Sequence, residues 1–227
     1  MALRQLAQDL WVLDCPEHTY LGLHLGTRMT VVRLPDGGLL LHSPVRLSAS
    51  LQEELGALGT VTHVVAPSLY HHLYAGHALE AYPDAQLHGP EALHRKRKDL
   101  GFHHVLGETP HRDWQDILVP VSIDGCMLQE TVLVHVPSKT VISSDLTENF
   151  QTSEHWYTRM YLKAAGLEGQ IGWSRLLRVM YRDHGAARAS LARLLSHDFE
   201  RIVIAHGDVI ETHGREALER TFHFLRG

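Results

Sequence analysis

Apolar residues in this 227-residue chain come only in short runs, such as Leu39-Leu40-Leu41 and Ile202-Val203-Ile204-Ala205. Runs of that length, bounded by turn residues, fit short buried strands. None approaches the roughly 20 apolar residues that would cross a bilayer. In the first half, strands are expected at Leu10–Leu13, Leu21–Leu25, Met29–Leu34 and Leu39–His42, punctuated by Pro16, Gly26-Thr27 and the turn Pro35-Asp36-Gly37-Gly38. Ser48 reads as an N-cap, with Leu51, Leu55 and Leu58 on one helical face. A strand at Thr62–Ala66 stops at Pro67, and Ser68–Gly76 is a loop entering a helix that ends near Tyr82-Pro83. A strand at Ala85–His88 and a helix from Pro90 to Lys98 follow.

The second half repeats the plan. Strands are expected at Ile117–Ile123, Thr131–Val136 and Thr140–Ser144, the last ending on Asp145. Helices follow at about Trp156–Ala165, Ile171–Tyr181 and Ala186–Leu195, then a strand at Arg201–Ala205 and a closing helix at Gly214–Leu225. With no linker, repeat or low-complexity tract, residues 1–227 read as a single domain. Strands, helices, strands, helices point to an α/β fold in which two sheets pack face to face with helices outside, a four-layer αββα sandwich. In such layouts functional side chains gather on loops at strand ends.

Composition narrows the function classes. A hydrophobic share of 44% with 21% charged residues is that of a globular chain. A net charge of −5 gives no reason to expect nucleic acid as a partner. Two cysteines, Cys15 and Cys126, cannot form a disulfide framework, and Met1–Leu13 lacks the features of a signal peptide, so a cytoplasmic location is expected. Nothing sets the oligomeric state. The 19 histidines are several times the usual share, and histidine is the commonest metal ligand.

Three apolar strands run directly into metal-competent side chains: Val64-Val65-Ala66 toward His71-His72, Val141–Ser144 into Asp145, and Ile202–Ala205 into His206. Were their ends to converge, imidazole and carboxylate ligands would suit zinc, iron or manganese. This order of elements and ligands resembles the metallo-β-lactamase-fold metallo-hydrolases over nearly the whole chain. That family's hallmark is His-x-His-x-Asp-His, and the matching positions here are Pro67, Leu69, His71 and His72, followed by Ala75-Gly76. Gly125-Cys126-Met127-Leu128, where the family's next histidine falls, has none. Asp145 matches the family's bridging aspartate, and His206 in Ala205-His206-Gly207 its last histidine. The missing side chains would have built one of the family's two metal sites. The resemblance therefore implies one divalent metal ion, zinc in first place and iron or manganese as alternatives, held by His71, His72, Asp145 and His206.

Other residues carry weaker arguments. With the hairpin turn near Ser138-Lys139, His135 falls opposite about residue 142, roughly 10 Å short of Asp145 at the usual strand rise. His42, at a strand end, is either an acid–base group lining the pocket or a capped strand-end histidine. His24, His63, His77, His103, His104 and His213 default to solvated or core positions. The basic run Arg95-Lys96-Arg97-Lys98 reads as a solvated helix end. No nucleophile elbow, Walker loop, Cys-x-x-Cys or dinucleotide fingerprint is present.

The leading expectation is a metal-dependent hydrolase of a small-molecule substrate. Asp145 would bind the metal and orient the attacking water, and His42 would shuttle a proton. Two alternatives stand beside it: non-haem iron chemistry on the same ligands, and a binding or regulatory module on a retired catalytic fold. The aromatic residues Phe150, Trp156, Tyr157 and Tyr161 are read either as an apolar lid or as core.

Overall fold

Alternate side chains of a strand point to opposite faces of its sheet, and here that alternation sorts the apolar residues into three layers. The computed structural model describes residues 2–17, 19–20, 22–151, 153–174 and 177–226. The chain begins with β1 (Arg4–Ala7) and β2 (Leu10–Cys15), then a small pair, β3 (Thr19–Tyr20) and β4 (Leu23–His24). Next come β5 (Thr27–Arg33), β6 (Leu39–His42), β7 (Val61–Val65), β8 (Gln86–Gly89) and β9 (His104–Val105). The first sheet has seven strands in the order β1-β2-β5-β6-β7-β8-β9. Its last three pairings are parallel, so each needs a crossover, supplied by α1 (Ala49–Leu58), α2 (Ala75–Ala81) and α3 (Glu91–Lys96).

The second sheet is β10 (Leu118–Ser122), β11 (Thr131–His135), β12 (Thr140–Ile142) and, beyond a separate pair of β13 (Glu148–Phe150) with β14 (Gln170–Gly172), β15 (Arg201–Val203). Helices α4 (Trp156–Ala165), α5 (His184–Leu195) and α6 (Gly214–Thr221) complete this half.

One apolar layer joins Val31, Leu41 and Val64 of the first sheet to Leu51, Leu55, Ala78 and Leu93 of its helices. The middle layer sets Leu10, Val32, Leu40 and Val65 against Leu118, Leu133 and Ile142, one sheet facing the other. The third packs Val132, Val134, Val141 and Ile202 against Leu194 and Leu218 of α5 and α6. This is the four-layer αββα sandwich expected from the order of elements. No helix among the described residues is long and apolar enough to cross a membrane.

Ser48 caps α1 as its sequence suggests, its hydroxyl accepting the Leu51 N–H at 3.2 Å, with Leu51 and Leu55 buried. Among the described residues of the helix expected at Ile171–Tyr181, Ile171 instead pairs with Asn149 in β14, and a 3-10 turn forms at Leu177–Met180. Cross-strand pairing overrides an apolar spacing that Gly172 already weakens. Of the expected elements, Leu21 and residues 175–176 lie outside the described residues.

Candidate metal centre

Two parallel neighbours, β12 and β15, deliver two ligands to the same end of the second sheet. Their register sets Ile142 beside Val203, and Asp145 and His206 each follow three residues later. The Ala205 N–H donates to the Ser144 carbonyl at 2.9 Å and carries the alignment past the strands. His71 arrives from the first sheet, in the turn after β7. There the buried Ser68 hydroxyl accepts the N–H groups of Tyr70 and His71 at 3.3 and 3.1 Å. Backbone bonds from Leu69 to the Leu128 carbonyl and from Thr131 to the Pro67 carbonyl fasten this turn to the second sheet.

The ligand atoms of His71, Asp145 and His206 all lie within 4.8 Å of one another. Asp145 Oδ1 is 3.2 Å from His71 Nε2 and 3.4 Å from His206 Nε2. The outer nitrogen of each ring is already engaged. His206 Nδ1 is 2.9 Å from the Gly26 carbonyl, which can only accept, so Nδ1 carries a proton and Nε2 is the atom turned toward Asp145. His71 Nδ1 is 2.8 Å from the Ser43 hydroxyl. Outer hydrogen bonds of this kind fix ring orientation in metal sites.

Buried charges surround the group. Glu130 accepts the backbone N–H of Ser144 at 2.5 Å and of Asp145 at 3.0 Å. Burial, reinforced by the Asp145 charge, pushes its carboxyl up to about 7. Glu148 is also pushed up to about 7, again by burial and then by Asp145. Burial opposes ionisation of Asp145 itself, but His71 and His206 hold its carboxyl below the usual range. His71 shows the counterpart: burial disfavours its cation, yet Asp145 and Glu130 lift it above its ordinary value. Arg28 braces the far side. It pairs with Asp14 at 2.5 Å and donates to the carbonyls of Ile204 and Gly207 at 2.5 and 2.9 Å, bracketing His206. Gly207 has φ +86°, and a Cβ there would stand 2.1 Å from the Asn149 carbonyl oxygen, so the turn after His206 requires glycine.

Of the four ligands expected from the sequence, His71, Asp145 and His206 come together and His72 does not. Its buried ring turns toward α3, where Nδ1 takes an N–H of Arg97 at 2.9 Å. Burial and the nearby Lys96 and Arg97 lower its pKa, and a guanidinium beside the ring disfavours a cation there. The basic run is thus not simply solvated, since Lys96 also donates to the Leu69 carbonyl at 2.6 Å.

His42 is 1% exposed, its Nε2 has no hydrogen-bond partner, and burial, then His71, pushes it down to about 3. A proton shuttle at neutral pH needs a pKa nearer 7. His135 pairs with Thr140 rather than with residue 142, because the hairpin turn spans Val136–Lys139. It bonds the Ser138 hydroxyl at 2.6 Å. The aromatic residues read as lid or core divide: Phe150 is buried against Leu162 and Leu167, whereas Trp156 and Tyr157 are exposed.

Local sequence pattern does not single out Ser43, Gly26, Arg28 or Glu130. Glu130 could have been found from the hairpin register. Leu133 faces Ile142, and extending that pairing by three residues sets Glu130 opposite Asp145.

Comparison with solved structures places this architecture among the metallo-β-lactamase-fold proteins. A metallo-β-lactamase from Pontibacter korlensis superimposes with a TM-score of 0.69 at 13% identity, covering 100% of this chain and 99% of that one. The metallo-β-lactamase FIM-1 from Pseudomonas aeruginosa, in its mono-zinc form, gives 0.67 at 12% identity, covering 99% and 94%. The metal-soaked Flv1 flavodiiron core from Synechocystis sp. PCC6803 gives 0.68 at 13% identity, covering 99% of this chain and 60% of that one. The chain belongs to the family described as a domain of unknown function, DUF4336, which its sequence matches over residues 7–155. No match was found among curated proteins.

Proposed function

We propose that this protein is a metal-dependent hydrolase of a small-molecule substrate, working through one divalent ion held by His71, Asp145 and His206. The observation that carries this reading is the pair of Nε2 atoms set 3.2 and 3.4 Å from Asp145 Oδ1, each ring held by its outer nitrogen. Ligands at zinc distances of about 2.0–2.2 Å in a tetrahedron stand roughly 3.3–3.6 Å apart, so the donor set fits zinc with little rearrangement. Three protein ligands leave a position open, as catalytic rather than structural zinc sites do.

Bound there, zinc would supply a coordinated water with its pKa lowered toward about 7 and a Lewis acid for the substrate oxygen. The chain's own residues do the positioning. The Gly26 carbonyl and Ser43 hydroxyl hold the two imidazoles, Glu130 holds the Asp145 backbone, and Arg28 fixes the strand end that bears His206. A cavity of about 530 Å³, lined by Gly26, Arg28, Phe150, His155, Gly207 and Asp208 among others, runs beside that strand end. Its size supports a small-molecule substrate. Cys15 and Cys126 are unpaired, which supports a cytoplasmic setting.

Two imidazoles and one carboxylate are also the donor set of non-haem iron oxygenases, so the geometry supports iron as a second reading. The test is hydrolysis by zinc-loaded protein across esters, thioesters, lactones, amides and phosphodiesters. The expected result is turnover of at least one class, abolished by chelation, restored by zinc and reduced to background in Asp145→Ala. Turnover unchanged in Asp145→Ala, or no turnover of any class by protein shown to carry zinc, would overturn the proposal. Activity with iron and oxygen alone would establish the second reading.

A further inference from the structure

Apart from the centre just described, a group of histidines gathers between β7, β8, β9 and the long connection 106–117 that joins the first sheet to the second. His63 lies on β7, on the face that looks toward the second sheet, and is 2% exposed. His111 and Asp113 come from the connection, and the ligand atoms of these three residues lie within 4.8 Å of one another. Asp113 divides its oxygens: Oδ1 takes Arg112 at 3.2 Å, while Oδ2 stands 3.4 Å from both His63 Nε2 and His111 Nδ1.

Those two distances are long for charge-assisted hydrogen bonds, which run about 2.7–2.9 Å. They match the roughly 3.3–3.6 Å between ligands of one tetrahedral zinc ion. The outer nitrogen of His63 is engaged as well, with Nδ1 3.0 Å from His88 Nε2. When Nδ1 donates to His88, the Nε2 lone pair faces a carboxylate oxygen, an arrangement that a cation between them satisfies. A depression of about 560 Å³ lined by Gln86, His103, His104, His111 and Arg112 brings solvent to His111.

We infer that His63, His111 and Asp113 form a second metal site, selective for zinc and similar nitrogen-preferring divalent ions, which pins the connection 106–117 onto β7. Hard cations such as magnesium and calcium prefer all-oxygen shells and do not suit it. The site is independent of the His71 centre and shares no ligand with it.

Trp114 provides a reporter, since its ring lies 4.9 Å from that of His63 and 5.0 Å from that of His111. The experiment titrates chelator-treated full-length protein with zinc, counting equivalents, and with cobalt(II), following tryptophan fluorescence and visible absorption. Wild type is expected to bind two equivalents. Asp145→Ala should keep one, with fluorescence quenching by cobalt intact. Asp113→Asn, a change in the connection rather than in a strand, should lose one equivalent and most of the quenching. Equal zinc stoichiometry and quenching in wild type and Asp113→Asn would overturn the inference and leave the group a hydrogen-bonded core cluster. That comparison decides the matter even where Asp145→Ala fails to fold. The same result would follow from an Asp145→Ala protein that folds but binds no zinc.

Discussion

Between pH 6.5 and about 4.5 the metal-free protein is expected to lose most of its stability. Strand alternation turns His42, His63, His88 and His135 toward the layer between the sheets, where each is only 1–2% exposed. Burial is the first cause of depression in all four, to about 3, 4, 2 and 4 respectively. An unfolded histidine takes its proton near 6.5 while these folded ones stay neutral. The unfolded state therefore binds more protons as pH falls, and each group costs about 1.4 kcal/mol per pH unit across the gap. Glu130 and Glu148 act in the opposite sense. Raised to about 7, they are protonated in the folded state while unfolded glutamate is still ionised, which favours folding between about 4.5 and 7. Four groups against two leave a net loss of roughly 2–3 kcal/mol per pH unit on acidification, against the 5–15 kcal/mol of a typical domain. Urea midpoints measured in chelator from pH 8 to 5 should peak near pH 6.5–7 and fall steeply below. His135→Gln, which can still reach Ser138, should flatten the acid limb by about 1.4 kcal/mol per unit. A midpoint constant between pH 7 and 5 would show that these imidazoles are not held neutral by burial.

Replacing Glu130 is expected to damage stability and metal affinity together. The carboxylate is 3% exposed and accepts two backbone N–H groups at the turn that carries Asp145. Glu130→Ala would leave both donors buried and unpaired, at about 1–3 kcal/mol each. Relief from burying a partly ionised carboxyl offsets part of this, so a net loss of about 2–3 kcal/mol is expected in denaturant titration. Zinc affinity at the His71 centre should drop about 10–100-fold, as when outer partners of metal ligands are removed. Glu130→Gln keeps one acceptor oxygen and should lose about half as much stability. An alanine variant with native zinc affinity would mean that the Asp145 turn holds its shape without this carboxylate.

Much of this arrangement is legible in the sequence. Strand lengths, the Ser48 cap and the element order lead to the layered sandwich because burial patterns and turn residues are local properties. His71, Asp145 and His206 were recognisable because each follows a strand end, where a sheet delivers its side chains to one edge. His72 misled because adjacent residues in a turn point in different directions, and only the position of Arg97 shows which way each goes. His135 and Glu130 share one cause. A four-residue turn at Val136–Lys139 shifts the hairpin pairing by two residues, away from His135 and onto Glu130. β1 carries no sequence signal because Arg4–Ala7 has no apolar alternation. The His63 group was out of reach, because its partners lie in a connection whose path depends on tertiary packing around Trp114.

The most direct test of the central claim is an anomalous difference map at the zinc edge from crystals of the zinc-loaded protein. The expected result is a peak about 2.0–2.2 Å from His71 Nε2, His206 Nε2 and an Asp145 oxygen, absent in Asp145→Ala crystals. Zinc bound elsewhere in the molecule, with no density among those three side chains, would contradict it.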